Sequence, residues 1–493
     1  MAGGRVGMVT AAVHALATAI FVPGMRRRLR DFYWAECSAL NLGLARIIIA
    51  RELASDRLTT RVARYAQMDP ALRRFPPGWQ ELGPSLPMDA ESITLAGIAM
   101  KVCATLAMFG VLSRATMGLT CALALYVLAI PQFFGKINHY HFLYWCALVL
   151  AFSRCGDALS VDALWKTFRA GKTRLVTDPR PSVRYGRPMR LLWLVIGLVY
   201  FFPGFWKLWD AGDLWLWGDN LVRLLRAKWI DLVTFRPALR VDLYPWLWRP
   251  MSVATVLFET LFVFSLVFPR AKWALIATGY SFHTATDLLM KISFGQLKRC
   301  YVVFIDVPSV ARFLRLDRVP VVDRLLVLSD DALARADEET RRAPVRIPRL
   351  TTAAGVVLLA GILSAGFMGH DSWPLAVMPR FHRRFPTHRD NFSFVLHRKD
   401  GTVLDGYDSE YFKYLKDAPY LRQMRDAART RRRKARRRKL HAIARSMREV
   451  GDPIAAGDEL TIVRLRRSLV SGDPFGRPSH RRVVARMRIK KLD

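Results

Sequence analysis

Cysteine is scarce in this chain of 493 residues: there are six, Cys37, Cys103, Cys121, Cys146, Cys155 and Cys300. They show neither the dense spacing of a disulfide scaffold nor the close pairs of a metal site, so both classes are set aside. Carboxylates are also few, with 40 Asp and Glu against 76 Lys and Arg and a formal net charge of +36. Such an excess first raises nucleic acid as a partner. No recognition motif or aromatic interleaving accompanies the basic residues, which argues against it. No internal repeat is evident, and pseudo-symmetric halves are the usual mark of a transporter. The opening MAGGRVGMVTAAVHALATAIFVPG has one basic residue before its apolar part, and its AxA-like piece falls early. It reads as an uncleaved hydrophobic or interfacial segment.

What the chain has is long apolar runs. Residues 96–112, 117–134 and 191–206 carry few charges over lengths near those that cross a hydrocarbon core. Several such runs predict an all-α polytopic membrane bundle, since helices satisfy their own backbone groups in lipid. Eight spans can be drawn, at about 35–53, 91–112, 117–134, 140–156, 189–206, 252–269, 272–292 and 349–368. Arg46 and Arg51 in the first must snorkel or face a protein interior. Basic residues flank the runs, as in MRRRLR and PRAK, where they set topology or meet anionic lipid.

The expected division is an apolar and basic segment at 1–34, a membrane domain at 35–300, a connector with the last span at 301–368, and a basic carboxyl-terminal domain at 369–493. Residues 207–250 read as a loop whose tryptophans suit a water–lipid interface. Asp400-Gly401 between apolar stretches predicts a hairpin, a basic helix is expected over 409–448 and a strand over 459–467. The last domain is thus a small α+β unit, with its final 20 residues loose.

Three polar groups need a reason to be near a bilayer. Asn138 and His139 open the segment NHYHFLYWCALVLAFSRCGDALSVDAL; imidazole can move protons near neutral pH, and an amide can hold a ligand oxygen. Either they form a hydrogen-bonded helix entrance or they carry chemistry. Lys207 follows LVYFFPGFW; it can snorkel, or, held from water, it can act as a neutral amine that takes a proton. Pro203 and Gly204 are expected to break the helix just before it. His283 lies in GYSFHTATDLLM with Asp287 four residues on, either as a structural His–Asp pair or as a ligand-orienting group. Arg154 and Asp157 are expected to hold a loop or helix end.

The pairing of NHYHFLYWCALVLAFSRCGDALSVDAL with VYFFPGFWKLWDAGDLWLWGDNL resembles the vitamin K-dependent gamma-carboxylase family, in its bacterial form with a horizontally transferred transmembrane (HTTM) domain. Asn138 and His139 match one family element, and Gly204, Lys207 and Leu208 the other. The resemblance implies vitamin K hydroquinone, or a related lipid quinol, as cofactor, used with O2 and CO2 on glutamate of a peptide or protein substrate. It assigns Lys207 as the base, His139 and Asn138 as catalytic partners, and Tyr200, Trp206 and His283 as quinol contacts. It also implies an outer-face carboxyl domain. Pro203 and Trp206 depart from the family's usual residues. A quinol-binding or quinol-oxidising protein that does not carboxylate, and a transporter or scaffold, stay open beside that reading.

Overall fold

The structure is a computed structural model that describes residues 23–55, 58, 62–65, 67–134, 140–171, 180–326, 328, 349–370, 372–376, 383–415 and 417–490. Its membrane part is built from helices α1 (Pro23–Tyr33), α2 (Ala39–Leu53), α3 (Ala90–Phe109), α4 (Ser113–Val127), α5 (His141–Ala151), α6 (Val161–Arg169), α7 (Val183–Leu216), α8 (Asn220–Asp231), α9 (Pro245–Ser265) and α10 (Pro269–Met290). Three short helices follow, α11 (Gly295–Cys300), α12 (Val307–Phe313) and α13 (Pro320–Leu326), and then α14 (Arg349–Phe367). Each of the eight predicted spans contains a helix. Among the described residues five helices are both long and apolar enough to cross a membrane: Ala90–Phe109, Ser113–Phe133, Val183–Leu216, Pro245–Phe264 and Leu350–Phe367. The chain is therefore a multi-pass membrane protein. Helix α2 has 15 residues and α5 has 11, short of the roughly 20 a perpendicular span needs.

Local sequence explains why the first turns hold. Asp89 caps α3 through the Ser92 N–H at 2.7 Å, and Gly110 ends it in a left-handed conformation (φ 73°). At the start of α4 the carboxylate of Asp162 accepts the backbone N–H of Leu112 and of Ser113, at 2.8 and 2.7 Å, and the Ser113 hydroxyl at 2.7 Å. An anion is well placed there, because a helix N-terminus exposes unpaired donors. Asp157 accepts from Arg154 at 2.9 Å and from the Tyr185 hydroxyl at 3.1 Å, so this pair holds the turn between α5 and α6 against α7. Arg46 faces the protein rather than snorkelling: its terminal nitrogens donate to the carbonyls of Cys155 (2.7 Å), Ala158 (3.2 Å), Leu159 and Met108 (3.5 Å). Arg51 stays largely exposed beside Glu52.

Several expectations are corrected. The 34-residue α7 runs through Pro203 and Gly204, and its non-helical residue is Ala211, so the break lies beyond Lys207. Most of 207–250 is helical rather than a loop. Trp215 and Trp229 there are buried against protein, while Trp217 and Trp246 are 81% and 74% exposed. After α10 the chain turns back into the bundle as α11 and a 3-10 turn at Tyr301–Phe304. The Trp193 indole donates to the Val303 carbonyl at 2.7 Å, and Arg299 meets Glu52 of α2.

The carboxyl-terminal domain pairs a four-stranded antiparallel sheet, β1 (His388–His397), β2 (Val403–Asp405), β3 (Glu459–Ser468) and β4 (His480–Arg488), in the order β2-β1-β3-β4. Gly401 (φ 86°) makes the β1–β2 turn. The basic segment is three helices, α15 (Glu410–Leu415), α16 (Asp417–Arg429) and α17 (Arg433–Glu449), not one. Within the final 20 residues, expected to be loose, His480–Arg488 form strand β4, eight of whose residues pair with β3 between Glu459 and Arg466.

Candidate functional site

Helices α7, α9 and α10 converge around a cavity of about 100 Å³. That is several times the room one water needs. Its wall is mostly apolar, from Val199, Leu224, Met251, Leu289, Ile292 and neighbours; Thr255, Thr286 and four titratable side chains, Tyr200, Lys207, Glu259 and His283, also line it. Lys207 is 2% exposed and Glu259 6%. Their amine and carboxylate are in direct contact, and Lys207 Nζ also lies 5.0 Å from the centre of the Trp215 ring. A buried lysine beside one carboxylate and one ring face is held without reaching water.

Gly204 makes that pairing geometrically feasible. A Cβ on it would lie 2.7 Å from the backbone N of Thr260, the residue after Glu259. Only glycine lets the two helix backbones come so near one turn before Lys207.

One turn further into the bundle the Tyr200 hydroxyl bonds to His283 Nε2 at 2.6 Å and to the Tyr301 hydroxyl. Gly279 leaves the space that Tyr301 fills, since a Cβ there would collide with its hydroxyl. Phe258 and Phe262 pack on the Tyr200 ring at 5.0 and 4.7 Å between centres, and Phe294 on His283 at 4.7 Å. His283 Nδ1 is buried and has no hydrogen-bond partner among the described residues. A buried ring with one nitrogen held and the other unpaired is suited to a polar ligand atom.

Of the residues the sequence singled out, Lys207, Tyr200 and His283 share this cavity. Trp206 does not line it: its indole donates to the Gly366 carbonyl at 2.8 Å and ties α7 to α14. Asn138 and His139 lie outside the described residues. Asp287 is exposed while His283 is buried, so the histidine's partner is Tyr200 across the helix interface and not Asp287 on its own helix. Two members were missed. Glu259 had a signal, a single carboxylate inside TVLFETLFVF, because an ionisable residue within a span is costly unless used or paired. Tyr301 had none, since the returning segment brings it in. No group of three or more His, Cys, Asp and Glu side chains able to hold a metal ion occurs among the described residues.

Comparison with known proteins adds one result: the HTTM domain matches residues 35–302, and this stretch contains the whole polar cluster. No curated protein and no solved structure matches the chain. The match covers more than half of the sequence and carries the family historically associated with bacterial vitamin K-carboxylase-like proteins; the chain belongs to the HTTM-domain family.

Proposed function

We propose that this protein is a quinol-dependent membrane enzyme in which Lys207 and Glu259 form a proton-transfer pair. The observation that carries the reading is that both groups line an apolar cavity in direct contact, with Tyr200 and His283 in the same wall. The lining fits a lipid quinol, whose ring and tail are apolar and whose polar atoms are few. The unpaired Nδ1 of His283 offers one of those atoms a partner. When bound, a reduced quinone supplies a weakly acidic hydroxyl and reducing equivalents for reaction with O2.

The chain's own groups then have distinct tasks. Lys207 Nζ holds or accepts a proton, and Glu259 can exchange it within the pair without changing the cavity's net charge. Tyr200 fixes the His283 ring through Nε2 while Tyr301 fixes Tyr200. The apolar wall keeps water out, which strengthens each of these interactions. Asn138 and His139 remain the proposed groups for the second half of a carboxylase reaction, the transfer of CO2 to a peptide glutamate. This rests on the family resemblance. Trp206 is assigned a structural role instead.

The test is to supply purified protein with vitamin K hydroquinone, O2, labelled CO2 and a glutamate-rich peptide, and to measure epoxide and fixed label separately. Epoxide with label supports the carboxylase, and epoxide without label supports a quinol oxidase that does not carboxylate. Full epoxide formation by Lys207→Ala, or none by a wild type that still binds quinol, would remove the reading.

A further inference from the structure

A second opening, of about 150 Å³, lies between α1, α5, α7 and α14. It is at the other end of α7 from Lys207, along the first turns of that helix. Its described lining contains four arginines, Arg154, Arg184, Arg187 and Arg190, and no carboxylate. Among the described residues Arg154 forms an ion pair, with its Nε 2.9 Å from Asp157, and Arg190 feels the charge of Asp306. Arg187 stacks over the rings of Tyr33 and Trp34 at 4.5 and 4.2 Å, and Arg190 over Trp193 at 3.9 Å. Stacking steadies a guanidinium from its face and leaves its in-plane N–H fork available. In keeping with that, the Nε atoms of Arg184, Arg187 and Arg190 are buried with no hydrogen-bond partner among the described residues.

The groove changes character along α7. Arg184 and Arg187 stand in its first turns, and Leu191 and Leu194 line the groove deeper in. Arg184 and Leu191 are separated by about 10 Å along the axis at 1.5 Å per residue. Leu148 of α5 and Leu358 of α14 continue the apolar wall. A charged mouth leading to an apolar groove between membrane helices has the polarity profile of one lipid molecule, headgroup to chain. We infer that this groove binds a single anionic phospholipid, its phosphate on Arg184 and Arg187 and an acyl chain against Leu191, Leu194 and Leu358. Arg184 and Arg187, with no carboxylate in the described lining, complement a phosphodiester, and basic pockets between membrane helices take such headgroups. A free phosphate would leave the apolar wall unfilled.

Native mass spectrometry of the full chain in detergent tests this with dioleoyl phosphatidylglycerol against dioleoyl phosphatidylcholine. The phosphatidylglycerol adduct is expected to persist preferentially. Arg184→Ala should weaken it roughly fivefold and Arg184→Ala with Arg187→Ala roughly 25-fold, taking about one arginine–headgroup contact each. Leu194→Trp, which fills the apolar part and keeps every arginine, should also weaken the adduct. An unchanged thermal unfolding midpoint in that variant separates occlusion from misfolding. Equal retention of the two lipids overturns the proposal, as does phosphatidylglycerol binding that both variants leave intact. Equal protection by inorganic phosphate alone overturns it too.

Discussion

Arg46 and Lys207 are both cations buried inside apolar helices, and the regions around them treat the charge in opposite ways. Around Arg46 the turns at 108 and 155–159 deliver four backbone carbonyls to its terminal nitrogens. Around Lys207 there is one carboxylate, one ring face and a cavity. The first arrangement knits three segments together, and its acceptors belong to the backbone. The second leaves a proton-carrying group beside space for a ligand. A buried charge is therefore not by itself a sign of chemistry, and what the charge faces decides the matter.

Substitution at the two cations should break the comparison most clearly. Lys207→Met is expected to lower quinol turnover by about 10²–10⁴-fold, the usual worth of a positioned base. It should also cost about 3–5 kcal/mol by stranding Glu259. Adding Glu259→Leu should restore the thermal midpoint and leave turnover lost. Arg46→Met should also destabilise, by about 1–3 kcal/mol for each buried carbonyl left without a donor, with turnover per folded molecule retained. Four backbone carbonyls then lose their donor, and no second side-chain change can remove them. Thermal unfolding in detergent, read beside the epoxide assay, distinguishes the two patterns. Recovery of turnover in the Lys207→Met, Glu259→Leu protein would erase the contrast.

Smaller changes sharpen it. Gly204→Ala should push α9 away from α7 and cost about 1–3 kcal/mol as overpacking does, with turnover falling because the Lys207–Glu259 contact opens. Tyr200→Phe removes the hydroxyl shared by His283 and Tyr301 and should cost about 1–2 kcal/mol, weakening quinol binding more than folding. The smallest effect lies in the carboxyl-terminal domain. Arg466, bonded to Asp390 at 2.8 and 3.2 Å, holds that carboxyl below the usual range. A lowered folded-state value stabilises above the unfolded value and is lost as pH falls through the folded one. The thermal midpoint of this domain should therefore fall as pH drops below about 4, and the gap between wild type and Asp390→Asn should close over the same range.

How much of this could be read in advance varies by residue. Each of the eight apolar segments holds a helix, and five of the helices among the described residues are long and apolar enough to cross a membrane, where a helix satisfies its own backbone groups. Lys207 and His283 were legible as polar groups out of place, and Tyr200 only through the family resemblance. Their connections were not. His283 has Asp287 four residues away and bonds to Tyr200 instead, across an interface that no local spacing encodes. The tryptophans of 207–250 read as interfacial by composition, yet Trp215 and Trp229 are covered by neighbouring helices.

The sequence alone determined a multi-pass helical protein with a basic α+β appendage, and a lysine at the end of an aromatic-rich span. Both follow from local composition, since hydropathy, proline and glycine placement and charge act within a turn or two. Only the tertiary structure decided that Lys207 meets Glu259, 52 residues on, and that the chain folds back so that Tyr301 reaches Tyr200. It also decided that the arginines of α7 open on a groove walled by α5 and α14. These are contacts between distant segments, set by which helix faces pack and how closely glycine lets them approach, and hydropathy along one segment does not specify its partner.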